Sequence, residues 1–322
     1  MRQFPRPRIV SSKCIEFEPC RYNGLIIRSK VVEGLKKYAD FQPVCPEVEI
    51  GLGVPRDTVN IAEIDGKIEL LQPATGRKLT EEMKEFSESF LNSIKDIDGF
   101  ILKNKSPSCG LKSVRVYNEL KNSRPRTDGV GLFAGSVLQK FPYLAIEDEG
   151  RIRNLILREN FFTKLFTLAD FREVIESGDF NDLLAFQSKN KLLLLSYNQE
   201  YSQKMGKVLS NRHDKPLNEL KKDYQDLLLK CLSSPQKVTS NINVLMHAMG
   251  YFSKKLTSPE KAFFLDTLEK YREGSIPLLV IINLIKSWII RFNEDYLDKQ
   301  TFFQPYPEDL MQVTFIYDKM GK

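Results

Sequence analysis

Arg8-Ile9-Val10-Ser11-Ser12-Lys13-Cys14 is a short apolar run that closes on two serines and then a thiol. It predicts a buried strand over 8–12 with a cysteine just past its carboxyl end. The arrangement recurs twice. Phe41 to Cys45 predicts a second strand, stopped by Pro46. Asp98 to Lys103 predicts a third, followed by Lys105-Ser106-Pro107-Ser108-Cys109-Gly110. Tyr143-Leu144-Ala145-Ile146 predicts a fourth. Helical spacing lies between them: Ser29 to Ala39 with Ser29 as cap, Thr80 to Ile94 with a stripe of Met83, Phe86, Phe90, Leu91 and Ile94, and Gly131 to Lys140. Strand–helix alternation of this kind implies a doubly wound, mostly parallel sheet of Rossmann-like type.

From Arg151 the pattern changes. Leu155 to Ala169, Leu183 to Leu209, Pro216 to Leu232, Ser240 to Lys254, Pro259 to Gly274 and Pro277 to Phe292 all carry helical spacing. Turn signals such as Ser233-Ser234-Pro235 and Thr257-Ser258-Pro259 separate them. Gln312 to Tyr317 is the one further stretch of strand character. The expected fold class is α/β over residues 1–165, followed by an all-helical domain over 166–322.

A chain of 322 residues with 42% hydrophobic content can bury a core in each of two domains. The formal charge of +6 weakly favours a polyanionic partner. Met1-Arg2-Gln3-Phe4-Pro5-Arg6 lacks the apolar run of a secretory signal. The longest apolar stretch, Ile276 to Ile290, is broken by Asn283, Lys286 and Ser287, so no membrane span is expected. A cytoplasmic location follows as the expectation. In a reducing compartment the five cysteines serve as ligands, catalytic groups or core residues before disulfides.

Strand ends of a parallel sheet are where α/β proteins place their chemistry. Neighbouring strands lie about 5 Å apart, so Cys14, Cys45 and Cys109 can meet around one group. Thiolates are the usual ligands of iron–sulfur centres. Both histidines, His213 and His247, fall in the helical half, which removes a Cys/His zinc finger from the first domain. Three ligands leave one metal position open to a soft atom. The plainer reading makes these cysteines small inert hydrophobes. Cys20 is either a spare thiol or a ligand in place of Cys14, and Cys231 belongs to a helical core. Glu47, two residues after Cys45, is a general base or a helix cap. Ser106 and Ser108 frame Pro107; a serine here donates to a developing anion or forms the turn. Arg21, Glu49 and Arg56 are expected to be solvated or paired.

Residues 101–126 hold Lys103, Lys105, Lys112, Arg115, Lys121, Arg124 and Arg126 against Glu119. This basic segment brackets Cys109 and would hold a phosphate backbone beside it. Lys204, Lys207, Arg212, Lys215, Lys221 and Lys222 form a second cluster in the helical half.

Cys20-Arg21-Tyr22-Asn23-Gly24, Cys45-Pro46-Glu47-Val48-Glu49-Ile50-Gly51-Leu52-Gly53-Val54-Pro55-Arg56 and Ser106-Pro107-Ser108-Cys109-Gly110 together resemble the thiouracil desulfidase family. Gly129 to Ala134 and Glu147 to Arg151 extend the likeness. The helical half resembles YbgA-like domains through Asn243 to Phe252, Tyr271 to Leu278 and Gln300 to Pro307. The pair of domains resembles the tRNA 4-thiouridine desulfidases. The resemblance implies a 4Fe-4S cluster on Cys14, Cys45 and Cys109, with Glu47 and Ser106 as the catalytic pair. It implies non-redox hydrolytic removal of sulfur as hydrogen sulfide, a partner tRNA containing 4-thiouridine, and no nucleotide cofactor. Lys103, Lys105, Lys112 and Arg115 are the expected RNA contacts. Rival readings are a desulfidase of free thiouracil or thionucleoside, and a non-catalytic iron–sulfur RNA-binding protein. Three departures stand out: Ile15-Glu16-Phe17 replaces Leu-Leu-Gly, Asn23 replaces Asp, and Asn190 stands where histidine is common.

Overall fold

Side chains of successive strand residues point to opposite faces, and in this chain both faces of the central strand are covered. Ile9 joins one apolar cluster, with Leu35, Ile101, Phe162 and Leu165. Val10 joins another, with Met83, Phe100, Leu102, Phe133 and Val137. That is why the first strand reads as a continuous apolar run rather than an alternating one. The computed structural model of the chain describes residues 2–118 and 124–311. Gln312 to Tyr317, Glu119 and Lys121 lie outside the described residues.

In chain order the first part runs β1 (Arg8–Ser12), α1 (Lys30–Leu35), β2 (Asp40–Val44), α2 (Pro46–Glu49), β3 (Asn60–Ile64), β4 (Lys67–Gln72) and β5 (Arg77–Lys78). It continues with α3 (Thr80–Ser93), β6 (Gly99–Leu102), β7 (Val114–Asn118), β8 (Arg126–Gly129), α4 (Leu132–Lys140), β9 (Ala145–Asp148) and α5 (Leu155–Ser177). Ser29 caps α1 by accepting from the Val32 N–H at 3.4 Å. The four expected strands form one parallel sheet in the order β2-β1-β6-β9. The chain leaves β1 toward β2 and then crosses back to β6. The crevice beyond the carboxyl ends of β1 and β6 is therefore the topological switch point of the sheet.

A second sheet, in the order β5-β4-β3-β7-β8, was not anticipated from the sequence. Its β3–β4 hairpin turns on Asp65-Gly66, both with positive φ (50° and 72°). Asp-Gly is a favoured pair for such a turn because both residues tolerate the left-handed region. β7 lies parallel to β3 and antiparallel to β8.

The chain divides into two compact units, residues 1–172 with 306–322, and residues 173–305. In the first unit, Tyr306 packs edge-on against Phe162 at 5.5 Å. Tyr38 donates to Asp309 at 2.6 Å.

The second unit is helical throughout its described residues: α6 (Phe180–Lys189), α7 (Lys191–Tyr197), α8 (Gln199–Ser210), α9 (Leu217–Cys231), α10 (Val238–Gly250), α11 (Ser258–Arg272), α12 (Leu278–Phe292) and the short α13 (Asp295–Asp298). The single helix expected over Leu183 to Leu209 is three. Asn198 breaks it by turning its side chain onto the Tyr201 N–H at 3.1 Å, a cap that competes with helix continuation. Asn190 breaks it as well. This residue is buried; its amide donates to the Phe186 carbonyl at 3.0 Å and accepts from Thr301 Oγ1 at 2.6 Å. A capping box on Thr257 and Glu260 starts α11. Cys231 is buried in this unit, as its apolar face implied. Among the described residues no helix is long and apolar enough to cross a membrane.

Candidate active site

The loops after β1, β2 and β6 meet at the switch point. Ser12 ends β1 and is buried; its hydroxyl accepts the Lys103 N–H at 2.9 Å, which ties the ends of β1 and β6 together. Cys14 follows two residues later. Cys45 follows β2 directly and stands at the start of α2, with Pro46 at the first helical position. Cys109 sits on the loop after β6.

That last loop is held by its own hydroxyl and by a helix end. Ser106 Oγ accepts the N–H groups of Ser108 (3.2 Å) and Cys109 (3.1 Å). The N–H groups of Gly131, Leu132 and Ala134, at the start of α4, donate to the carbonyls of Gly110 (2.8 Å), Pro107 (3.1 Å) and Ser108 (3.0 Å). Helix N–H groups that would otherwise lack partners thus fix the loop that carries Cys109. The approach is close: a Cβ on Gly131 would stand 2.5 Å from the Ser108 carbonyl oxygen. Only glycine fits there.

These loops line a cavity of about 820 Å³ that takes in Cys14, Cys20, Cys45, Cys109, Glu47 and Ser106. The four thiols are each more than nine-tenths buried. A hydrogen bond between Cys20 and Cys14 helps push the Cys20 thiol up to about 11. A hydrogen bond with Cys20, together with burial, raises Cys45 well above the ordinary thiol range. Burial raises Cys109 too, against the opposing hydroxyls of Ser12 and Ser106. These three groups are therefore neutral thiols at neutral pH, and a metal would have to displace their protons. Among the described residues no three Cys, His, Asp or Glu side chains are arranged to grip a single metal ion.

Glu47 is held from both sides. Its Oε2 accepts from Arg56 Nε at 2.9 Å and from a terminal guanidinium nitrogen at 2.7 Å. Its Oε1 accepts from Ser108 Oγ at 2.9 Å. A carboxylate has about four acceptor sites. Arg56 takes the two on Oε2 and Ser108 takes one on Oε1, so the free site is on Oε1. Arg56 also donates to the carbonyls of Cys20 (3.0 Å) and Gly53 (3.1 Å) and lies 3.9 Å from Cys45 Sγ. Ser106 Oγ already accepts two N–H groups, so its O–H serves as a donor.

The sequence expected Arg56 only to be solvated or paired; it is the clamp on Glu47. Ser108 was grouped with Ser106, yet the two differ: Ser108 holds Glu47, and Ser106 holds the Cys109 backbone. Of the expected RNA contacts, Lys103 pairs with Glu149 at 2.9 Å. Lys105 and Arg115 line the cavity. Lys112 is exposed outside its lining. In the helical unit Lys204 pairs with Glu200 and Lys215 with Asp223, both at 2.6 Å. Lys221 is buried and donates to the Ile175 carbonyl at 3.3 Å.

Residues 9–149 match the family model described as 2-thiouracil desulfurase. Residues 191–307 match a family described as a protein of unknown function, DUF1722. The chain is 31% identical over 147 residues to the uncharacterized protein YbbK of Bacillus subtilis (strain 168), covering 44% of this chain and 95% of that protein. It is 28% identical over 146 residues to the uncharacterized protein YbgA of Escherichia coli (strain K12), covering 45% of this chain and 86% of that one. A solved structure of the 4Fe-4S-dependent thiouracil desulfidase TudS aligns with a TM-score of 0.35 at 24% identity, covering 46% of this chain and 94% of that chain.

Proposed function

The chain belongs to the 2-thiouracil desulfurase family, and on that premise we propose that it hydrolyses 4-thiouridine in tRNA to uridine and hydrogen sulfide. The observation that carries the reading is the meeting of four thiols, Glu47 and Ser106 on one cavity at the switch point of the sheet. The reaction exchanges sulfur for oxygen at C4: thiocarbonyl plus water gives carbonyl plus hydrogen sulfide. Oxidation level is unchanged, so neither NADH nor flavin enters the balance.

Cys14, Cys45 and Cys109 would hold a 4Fe-4S cluster. The donor set fits: it is all thiol, histidine is absent from the cavity lining, and the nearby carboxylate is engaged by Arg56. Such a cluster, with one iron left without a protein ligand, supplies Lewis-acid affinity for soft sulfur. The chain's own groups supply the proton handling. The free acceptor site on Glu47 Oε1 takes a proton from the attacking water. Arg56 fixes the carboxylate so that this oxygen faces the cavity. The Ser106 hydroxyl donates toward the departing sulfur.

The test is purification of the full chain without oxygen, iron and sulfide analysis, and then incubation with thiolated tRNA or with free 4-thiouracil. Sulfide released from the tRNA is the expected result. Release from free 4-thiouracil alone would select the narrower reading. A colourless protein that takes up no iron would overturn both.

A further inference from the structure

Glu16 is a buried carboxylate with no part in the site described so far. It lies two residues beyond Cys14, in the stretch Ile15-Glu16-Phe17 that departs from Leu-Leu-Gly, and it is not among the residues that line the cavity. Only 3% of its side chain is exposed. Burying a carboxylate is costly unless its oxygens are satisfied. Both are: Oε1 accepts the Ser29 N–H, and Oε2 accepts from the Arg28 guanidinium at 3.2 Å. The main chain of Glu16 is used as fully. Its N–H donates to the Ile27 carbonyl at 3.0 Å, and its carbonyl accepts from Lys36 Nζ at 2.5 Å.

These bonds form one device around α1. In a capping box, the residue at the third helical position returns a carboxylate to the N–H of the cap residue. Ser29 is the cap of α1, and the third position is Val32, which has no carboxylate. Glu16 supplies it from the thiol loop instead. At the other end of the helix, Lys36 stands just past Leu35 and gives its ammonium to the Glu16 carbonyl, 4.3 Å from the Phe17 ring centroid. Glu16 thus ties the loop after β1 to both ends of α1.

We infer that Glu16 is a positioning residue that seats Cys14 for its part in the metal site. The inference rests on the function proposed above, in which Cys14 is a ligand. Ile27 carries the coupling. Its N–H donates to the Cys14 carbonyl at 2.8 Å, its carbonyl accepts the Glu16 N–H, and it pairs with Ile15 in a parallel bridge. Cys14 and Glu16 are therefore two rungs on one residue. Ser29, two residues further on, then takes the Glu16 carboxylate, so the side chain closes the ladder that the backbone opens. Glu16 makes its rung with φ at 63°, in the left-handed region that a residue with a side chain adopts only when its surroundings hold it there. Arg28 is 78% exposed and adds little; the backbone N–H of Ser29 is the main hold. Cys45 and Cys109 follow other strands and share none of these bonds.

Two measurements on the full chain test this. In the first, the cluster-free protein is treated with iodoacetamide without oxygen, and mass spectrometry follows the labelling of each cysteine. Cys45 and Cys109 are references within the same chain. Glu16→Ala should raise the Cys14 rate relative to theirs by about tenfold, the effect of losing a charge-assisted bond to a buried N–H. Glu16→Gln keeps an acceptor for Ser29 and should stay within about threefold of the natural chain. Arg28→Ala removes only the exposed partner and should leave the ratio unchanged. Should Glu16→Ala fail to fold, Glu16→Asp, one methylene short of Ser29, takes its place. A Cys14 ratio unmoved by loss of the carboxylate overturns the inference. An equal rise at all three cysteines also overturns it, because Glu16 would then be a general support of the fold. In the second, protein loaded with iron and sulfide is challenged with a chelator. Glu16→Ala should release iron about tenfold faster than the natural chain, and Glu16→Gln close to the natural rate. Equal release in Glu16→Ala overturns the inference. If the natural chain takes up no iron, the function proposed above fails, and the labelling rates still decide what seats Cys14.

Discussion

The polar groups that line the cavity follow two opposite rules. On the thiol wall almost every polar group is spoken for. Ser12 accepts from Lys103, Ser106 accepts from two backbone N–H groups, and Glu47 is gripped by Arg56 and Ser108. Elsewhere on the same lining Arg21 beside Cys20, Lys105 at the start of the Cys109 loop and Arg115 on β7 have no carboxylate partner among the described residues. Groups that must hold a reacting atom within a fraction of an ångström need internal partners to fix them. Groups that bind a charged ligand must be left for that ligand to satisfy.

The largest effects should come from the thiol wall. Glu47→Gln removes the free acceptor on Oε1 while leaving a side chain of the same shape. Sulfide release should fall by a factor on the order of 10² to 10⁴, the usual range for a general base. The brown absorbance and iron content should stay. If iron is lost as well, Glu47 supports the metal site rather than the reaction, and the contrast weakens. The thiols give an all-or-none effect of another kind. Cys45→Ser and Cys109→Ser should each lose iron, since serine is a poor substitute for a soft thiolate. Cys14→Ser should do the same and Cys20→Ser should keep it. Iron counts on the last pair decide which of these two hydrogen-bonded thiols is the ligand.

How much of this contrast can be read from sequence differs across the lining. The four parallel strands lie within two residues of where their sequence puts them: burial on both faces leaves an unbroken apolar run in β1 and β6, while β2, an edge strand with Asp40 and Gln42 exposed, is bounded instead by Pro46. The thiol loops follow from those strands. The second sheet escaped although Asp65-Gly66, between Asn60-Ile61-Ala62-Glu63-Ile64 and Lys67-Ile68-Glu69-Leu70-Leu71-Gln72, is a strong hairpin signal. Reading it would have placed β3 and β4. Nothing local would have brought Arg115 to the cavity, since the β3–β7 pairing joins Ile61 to Val116 across a long stretch of chain. Glu47 and Ser108 are likewise 61 residues apart, so their bond is a tertiary fact. Asn190 and Asn198 show the opposite failure: the apolar spacing over 183–209 is real, but side-chain capping overrides it.

A smaller effect should come from the joint between the Cys109 loop and α4. Gly131→Ala would drive a methyl group to within 2.5 Å of the Ser108 carbonyl oxygen and 2.8 Å of the Gly110 nitrogen. Backbone cannot yield as a side-chain tip does, so overpacking should cost about 1–3 kcal/mol in denaturant unfolding. Sulfide release should fall as well, because the displaced loop carries Ser106 and Cys109. Unchanged sulfide release in a destabilised variant would mean that the seat of this loop on α4 does not set the chemistry.

The last test lies at the opposite end of the strands and separates stability from chemistry, where no effect on sulfide release is expected. Asp98 precedes β6, is buried, and accepts the Arg8 N–H at 2.8 Å and Arg172 Nε at 3.2 Å. Burial pushes its carboxyl up to about 6, although both partners pull the other way. The folded chain therefore keeps this proton at pH values where the unfolded chain, with an ordinary carboxyl near 4, has released it. Stability from this group is fully present below about pH 4 and is lost as pH rises through about 6. About two pKa units correspond to roughly 3 kcal/mol. Asp98→Asn carries no such titration, so the unfolding free energy of the natural chain minus that of the variant should rise by about this amount between pH 7 and pH 3.5. A flat difference would mean that the arginines, not burial, govern the carboxyl. A matching pH step in sulfide release would tie the floor of the sheet to the chemistry above it, and that chemistry would no longer be local to the cavity.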